Sequence, residues 1–195
     1  MAYMTDEQLR DMGFNSLGNN VLLSDKASFY NPAKISIGSN VRIDDFCILS
    51  AGEKGISIGS YIHIAAFSSL IGAEQIKLED FCGLSSRVAI YSSSDDYSGN
   101  WMTNPMVPEK FTNVISKAVV IGKHVIIGCG SVVLPGVVIQ EGTAIAAQSL
   151  VKKSCEPFSI YHGNPAKRIL ARKMGVKELE QEMLKEMISP CQKLK

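Results

Sequence analysis

Aliphatic or aromatic residues recur every six positions through most of this chain, at Leu17, Leu23, Phe29, Ile37, Ile43, Leu49, Ile58, Ile64, Leu70, Leu78, Leu84, Ile90, Ile121, Ile127, Val133, Ile139, Ile145 and Val151. A period of six is neither the 3.6 of a helix nor the alternation of a plain strand, so each hexapeptide must join a short strand to a bend. The fifth position of each hexapeptide is an independent check. From Val21 to Cys155 it is small or aliphatic throughout, apart from Glu53 and Glu74. Glycines directly after the register, Gly18, Gly38, Gly59, Gly122 and Gly128, are expected to serve the bends, where backbone freedom matters.

Three hexapeptides per turn explain where the period breaks. Leu17, Ile37, Ile58, Leu78, Ile121 and Ile139 then open successive coils, and the surplus over eighteen residues is two, three, two, twenty-five and none. Every insertion follows a third hexapeptide, so all of them emerge at one corner of a triangular prism. The expected class is all-β, a parallel β-helix of about six coils standing roughly 29 Å tall at about 4.8 Å per coil. Its open first and last edges need covers. Thr5-Asp6-Glu7-Gln8 is a capping-box pattern that opens a short helix, and Gly13 can close it. From about 166 to 188 the spacing of Ile169, Leu170, Met174, Leu179, Met183, Leu184 and Met187 predicts a second helix, over the far end or against a neighbouring subunit. The chain thus divides into a helical cap at 1–16, the β-helix at 17–165 with a loop at 96–117, and a helix and tail at 166–195.

Composition narrows the functions. A net charge of +1 without a block of like charge leaves no electrostatic footprint for nucleic acid. The apolar runs fall far short of the roughly 20 residues of a membrane span. The first residues lack the basic and apolar stretches of a secretory signal, so a cytoplasmic location is expected. Five cysteines without CxxC spacing read as buried small hydrophobes rather than a disulfide framework or zinc site.

The segment Ile121-Gly-Lys-His-Val-Ile-Ile-Gly-Cys-Gly-Ser-Val-Val-Leu-Pro-Gly-Val-Val-Ile, followed by Gly163-Asn164-Pro165-Ala166-Lys167, resembles the hexapeptide-repeat acyltransferases. The branch in view is that of galactoside and maltose acetyltransferases and of bacterial surface-polysaccharide enzymes. The resemblance implies a left-handed coil, against the usual right-handed crossover rule. It also implies acetyl-CoA as co-substrate, no metal, a sugar or nucleotide-sugar acceptor, and a homotrimer whose long loop reaches a neighbouring prism.

Family members carry a catalytic histidine just after the strand that leads into the long loop, and here Ile90-Tyr-Ser-Ser-Ser-Asp-Asp-Tyr puts Asp95 in its place. A sugar hydroxyl needs a base with a pKa near working pH, which imidazole supplies and an aspartate near 3.9 does not unless buried. An amine is already partly unprotonated near neutrality and mainly needs positioning. The substitution therefore favours N-acetylation of a nucleotide-linked amino sugar, with Asp95 or Asp96 binding the incoming ammonium. The alternative is O-acetylation, with His124, His63 or a buried Asp95 as base.

Other residues fill out the expected site. Ser94, Asp96, Tyr97, Trp101 and Asn104 border or occupy the long loop and are candidates to bind substrate, although the aromatic ones serve equally to pack the loop. The resemblance implies that backbone amides near Gly128, Ala146 and Ala147 meet pantetheine, and that Lys153, Lys167 and Arg168 meet the phosphates of coenzyme A. His63 and His162 read more readily as structural or surface residues. Three histidines on different coils cannot form the three-histidine site of a zinc enzyme. A non-catalytic β-helix remains the reading from outside enzymology.

Overall fold

The computed structural model describes residues 2–188. Three parallel sheets form the walls of a prism. The first stacks Ser16–Leu17, Ile35–Ile37, Ile56–Ile58, Ile76–Leu78, Val119–Ile121 and Val138–Ile139. The second runs Val21–Leu23, Val41–Ile43, Ile62–Ile64, Gly83–Leu84, Ile126–Ile127 and Ala144–Ile145, and the third runs Ser28–Tyr30, Ile48–Ala51, Ser69–Gly72, Ala89–Tyr91, Val132–Val133 and Leu150–Val151.

Pairing keeps like residues in line: Ile37, Ile58, Leu78, Ile121 and Ile139 face one another rung by rung. Sixteen of the eighteen registers are buried, while Leu17 and Phe29 of the first coil pack on the core partly covered. A methyl-rich interior in register removes apolar surface from water at every rung, which is the main drive to stack. Cys47, Cys82 and Cys155 are buried free thiols within it.

The register glycines act differently from the expectation, since Gly18, Gly38, Gly59, Gly122 and Gly128 all keep ordinary φ angles. A Cβ on Gly38 would stand 2.6 Å from the carbonyl oxygen of Gly59, and one on Gly128 would stand 2.5 Å from the amide nitrogen of Ala147. They are needed because adjacent coils approach too closely for a side chain. The left-handed bend positions fall instead on Asn20, Asn40, Tyr61, Phe81 and His124 at one corner, and on Phe46, Phe67 and Arg87 at the next. Non-glycine residues there carry strain. Stacking offsets part of it, with Tyr61 on Phe81 at 4.9 Å and Phe81 on His124 at 5.0 Å.

A helix α1, Asp6–Asp11, has the capping box in place, Thr5 accepting from the Gln8 amide and Gln8 accepting from the Thr5 amide. Leu9 joins the core and the Met4 amide donates to the Leu23 carbonyl, so this end of the prism is lidded. At the other end there are six full coils and part of a seventh, in which Ser159–His162 adds to the second sheet. Residues 167–171 correct the expected helix: Lys167–Ala171 is a strand antiparallel to Ser159–His162.

Helix α2 therefore begins only at Val176 and runs to Ile188. It lies along a corner instead of across the end. Lys177 meets Glu141 at 3.3 Å, Glu180 meets His124 at 2.8 Å, and the Met187 sulfur accepts from the Tyr61 hydroxyl at 3.3 Å. Ten helical residues rise about 15 Å, which matches three coils at about 4.8 Å each. Leu179, Leu184 and Met187 stay exposed on it. Among the described residues no helix is long and apolar enough to cross a membrane.

Candidate active site

The long insertion leaves the corner after the Ala89–Tyr91 strand. Its base is a small antiparallel ribbon in which Ser93–Ser94 pairs with Ile115–Ser116. The ribbon fixes the loop's direction, and Asp95, half buried, follows at its tip side. Two clefts share the wall made by Ser93, Asp95 and Val114. One, about 490 Å³, is also lined by Ser94, Tyr97, Tyr91 and Leu134. The other, about 630 Å³, lies under the loop and includes Asn104, Met106 and Glu109. The structure thus brings together Ser94, Asp95, Tyr97 and Asn104.

Asp96 points to loop architecture. It accepts from the Ser98 amide at 2.8 Å, the Ser98 hydroxyl at 2.5 Å and the Asn113 side chain at 3.3 Å. The Ser98 contacts, followed by Asn113, hold its carboxyl below the usual range. Trp101 lines neither cleft and is half exposed, as is much of the loop's apolar surface: Tyr97, Met102, Met106, Phe111 and Val114 all face outward. So much apolar surface on one loop marks a contact face.

The histidines are placed elsewhere. The His124 side chain is largely covered, stacked on Phe81, with Nε2 2.8 Å from Glu180 of α2. Lys123 completes that cluster at 2.5 Å from the same carboxylate. Hydrogen bonds from Lys123 and then His124 hold the Glu180 carboxyl below its ordinary value. His162 is exposed in the last hairpin. His63 projects from the second sheet, with Nε2 2.9 Å from buried Asp44, which also accepts from Arg42 at 2.7 Å.

Beside His63 is a hollow of about 290 Å³ that includes Ala65, Gly83, Ser85, Ser86 and Ile126. The hollow beside His63, on the wall of the second sheet, shares no lining residue with the two clefts at Asp95, which follows the third sheet. Gly83 and Ser85 line this hollow and did not stand out in the sequence; the signal available for Gly83 was a glycine inside a strand whose neighbours carry large outward side chains.

The expected cofactor residues divide as well. The amides of Gly128 and Ala146 donate to the Ile145 and Tyr161 carbonyls at 2.8 Å each, so they hold the coils together; Ala147 is exposed and makes no such bond among the described residues. Arg168 is held by Glu156 at 3.3 Å and Ser159 at 3.0 Å. Lys153 and Lys167 are exposed. Lys153 sits at the corner of the long loop, two rungs beyond the Ala89–Tyr91 strand, or about 10 Å along the axis.

A stacked hexapeptide prism with an acidic cleft under a corner loop defines a class, the parallel β-helix transferases. The bacterial transferase hexapeptide family (six repeats) matches residues 118–153. An Escherichia coli dTDP-4-amino-4,6-dideoxy-D-glucose acyltransferase is 58% identical over 92% of this chain and 94% of its own. The chain belongs to the hexapeptide-repeat sugar acyltransferases.

Solved structures of AntD, an N-acyltransferase from Bacillus cereus, agree closely. Its complex with dTDP and 3-hydroxybutyryl-CoA is 50% identical, with a TM-score of 0.91 over 95% of this chain and 97% of that one. An AntD variant with a serine changed to alanine, holding dTDP-4-amino-4,6-dideoxyglucose and coenzyme A, gives 0.92 at 49% identity, over 95% and 98%. Another, with an aspartate changed to asparagine and holding dTDP and coenzyme A, gives 0.92 at 49%, over 95% and 100%.

Proposed function

We propose that this enzyme transfers an acyl group from a coenzyme A thioester to the amine of a dTDP-linked 4-amino-4,6-dideoxyhexose. The observation that carries the reading is Asp95, a carboxylate and not a histidine, at the shared wall of the two loop clefts. The AntD variants support it. Their altered serine and aspartate stand ten residues apart in that chain, as Ser85 and Asp95 do here. Ser86 and Asp96 have the same separation, but the Asp96 carboxylate is already taken up by Ser98 and Asn113.

In this reading Asp95 accepts a hydrogen bond from the incoming ammonium and orients it. The ammonium first gives one proton to solvent, the resulting amine attacks the thioester carbonyl, a C–N bond forms, and the C–S bond breaks to release coenzyme A as its thiol. The proton lost by the nitrogen passes through Asp95 and water to the leaving sulfur. The exposed lysines 153 and 167 and the Ala147 amide, which has no partner among the described residues, suit the phosphates and pantetheine of the donor.

The reading takes the working unit as a trimer. Asp95 follows the third sheet and the hollow with Ser85 lies on the second, so adjacent prisms complete one site, with the apolar loop covered between them. The product fits the synthesis of surface polysaccharides in the cytoplasm. The test is to incubate the enzyme with acetyl-CoA and dTDP-4-amino-4,6-dideoxyglucose and follow free thiol and product mass. Gain of one acetyl group on the sugar supports the reading; release of thiol without acylated sugar contradicts it.

A further inference from the structure

Gly83 sits inside the second sheet where no described residue requires glycine. The other solenoid glycines have a reason: Gly18, Gly38, Gly52 and Gly128 abut the next coil, and Gly55, Gly72, Gly130, Gly136 and Gly142 have positive φ. At Gly83 the φ is ordinary and an added Cβ would meet only Ile126, at 4.0 Å. Its rung partners on either side are His63 and Ile126, both pointing outward. Glycine in a strand costs about 0.5 to 1 kcal/mol relative to alanine, and its presence there marks a close approach by something from outside the strand.

We propose that the missing side chain at position 83 makes room for the acyl chain of the donor, so that Gly83 sets how long an acyl group this enzyme accepts. The inference rests on the acyltransferase reading above. Ile126 offers the hollow an apolar wall and His63, fixed by Asp44, a polar one. Ser85 stands at its edge, with a hydroxyl that bonds to no other described residue. About 290 Å³ is at the bottom of the range for small-molecule sites. That is too small for a sugar joined to a nucleotide and sufficient for the end of a thioester. A four-carbon acyl group lies over Gly83; a side chain there shortens the space from its floor.

The experiment compares wild type, Gly83→Ala and Gly83→Val at saturating dTDP-4-amino-4,6-dideoxyglucose. It measures kcat/KM for acetyl-CoA, butyryl-CoA and 3-hydroxybutyryl-CoA, with melting temperature and oligomer size alongside. Wild type is expected to use the four-carbon donors. Gly83→Val should lower kcat/KM for them at least tenfold more than for acetyl-CoA, with Gly83→Ala between, with oligomer size unchanged and with melting temperature not lowered, since a strand glycine is the less stable choice. Equal losses for all donors overturn the inference, as does a wild type that uses acetyl-CoA alone or a variant that changes oligomer size. A wild type that acylates no amino sugar from any donor overturns the function reading itself, and this inference with it.

Discussion

His124 and Glu180, fifty-six residues apart in sequence, meet at 2.8 Å where helix α2 crosses the prism corner. The imidazole is spent on holding the helix, between Phe81 below and the carboxylate outside. His124→Ala is therefore expected to keep most of its turnover while losing stability. Loss of activity with folding and coenzyme A binding intact would assign His124 to the chemistry.

The same contact has a pH signature. The Glu180 carboxyl is lowered in the folded chain, so its stabilisation is present above its unfolded pKa, about 4.3, and is lost as pH falls through the lower folded value. Glu180→Gln should cost about 1 to 2 kcal/mol near neutrality, or roughly 2 to 8 °C in melting temperature. The gap between variant and wild type should close below about pH 4. A gap that is constant with pH would remove the charge from the explanation.

Burial pushes the Cys47 and Cys155 thiols up to about 11 and Cys82 to about 12. Cys129 is exposed and free, and Cys191 lies outside the described residues. With both of these changed to serine, the native protein should not react with a thiol reagent at pH 8, and all three core thiols should react on unfolding. Rapid native labelling would mean that the registers are misplaced.

The hexapeptide fold was legible because burial and stacking share one period, so each core residue such as Ile43 or Ile64 announces itself in the sequence. The glycines were legible in position but not in cause. Gly38 is required by the carbonyl of Gly59, on a rung twenty-one residues away, and a one-dimensional pattern does not show the distance between coils. Ile169 and Leu170 fit a helical stripe, yet pairing with Ile160 and its neighbours made a strand of them. Asp95 stood out because the resemblance places a histidine there, and it lines the wall shared by two clefts. Ser85 did not stand out, since a serine after a register is ordinary in such coils.

Gly38→Ala should accordingly destabilise by about 1 to 3 kcal/mol, because the Cβ has to force two coils apart. The denaturant midpoint reads this directly. An unchanged midpoint would show that the coils have slack where the structure has contact.

Charge reversal at Lys153 or Lys167 should raise the KM for acyl-CoA about tenfold and leave that for the nucleotide sugar nearly unchanged, because only the donor brings its phosphates to that end. Parallel increases for both substrates would move the donor elsewhere.

In the proposed reaction an amine, oriented by Asp95, is the nucleophile. The most direct measurement compares acyl transfer to dTDP-4-amino-4,6-dideoxyglucose with transfer to its analogue bearing a hydroxyl on the same carbon, for wild type and Asp95→Asn. The account predicts transfer to the amine alone, rising with pH as free amine becomes available. It predicts a fall of about 10- to 100-fold in kcat/KM for Asp95→Asn, equivalent to about 1.4 to 2.7 kcal/mol. Robust acylation of the hydroxyl sugar with none of the amino sugar, or an Asp95→Asn enzyme as active as wild type, would contradict it.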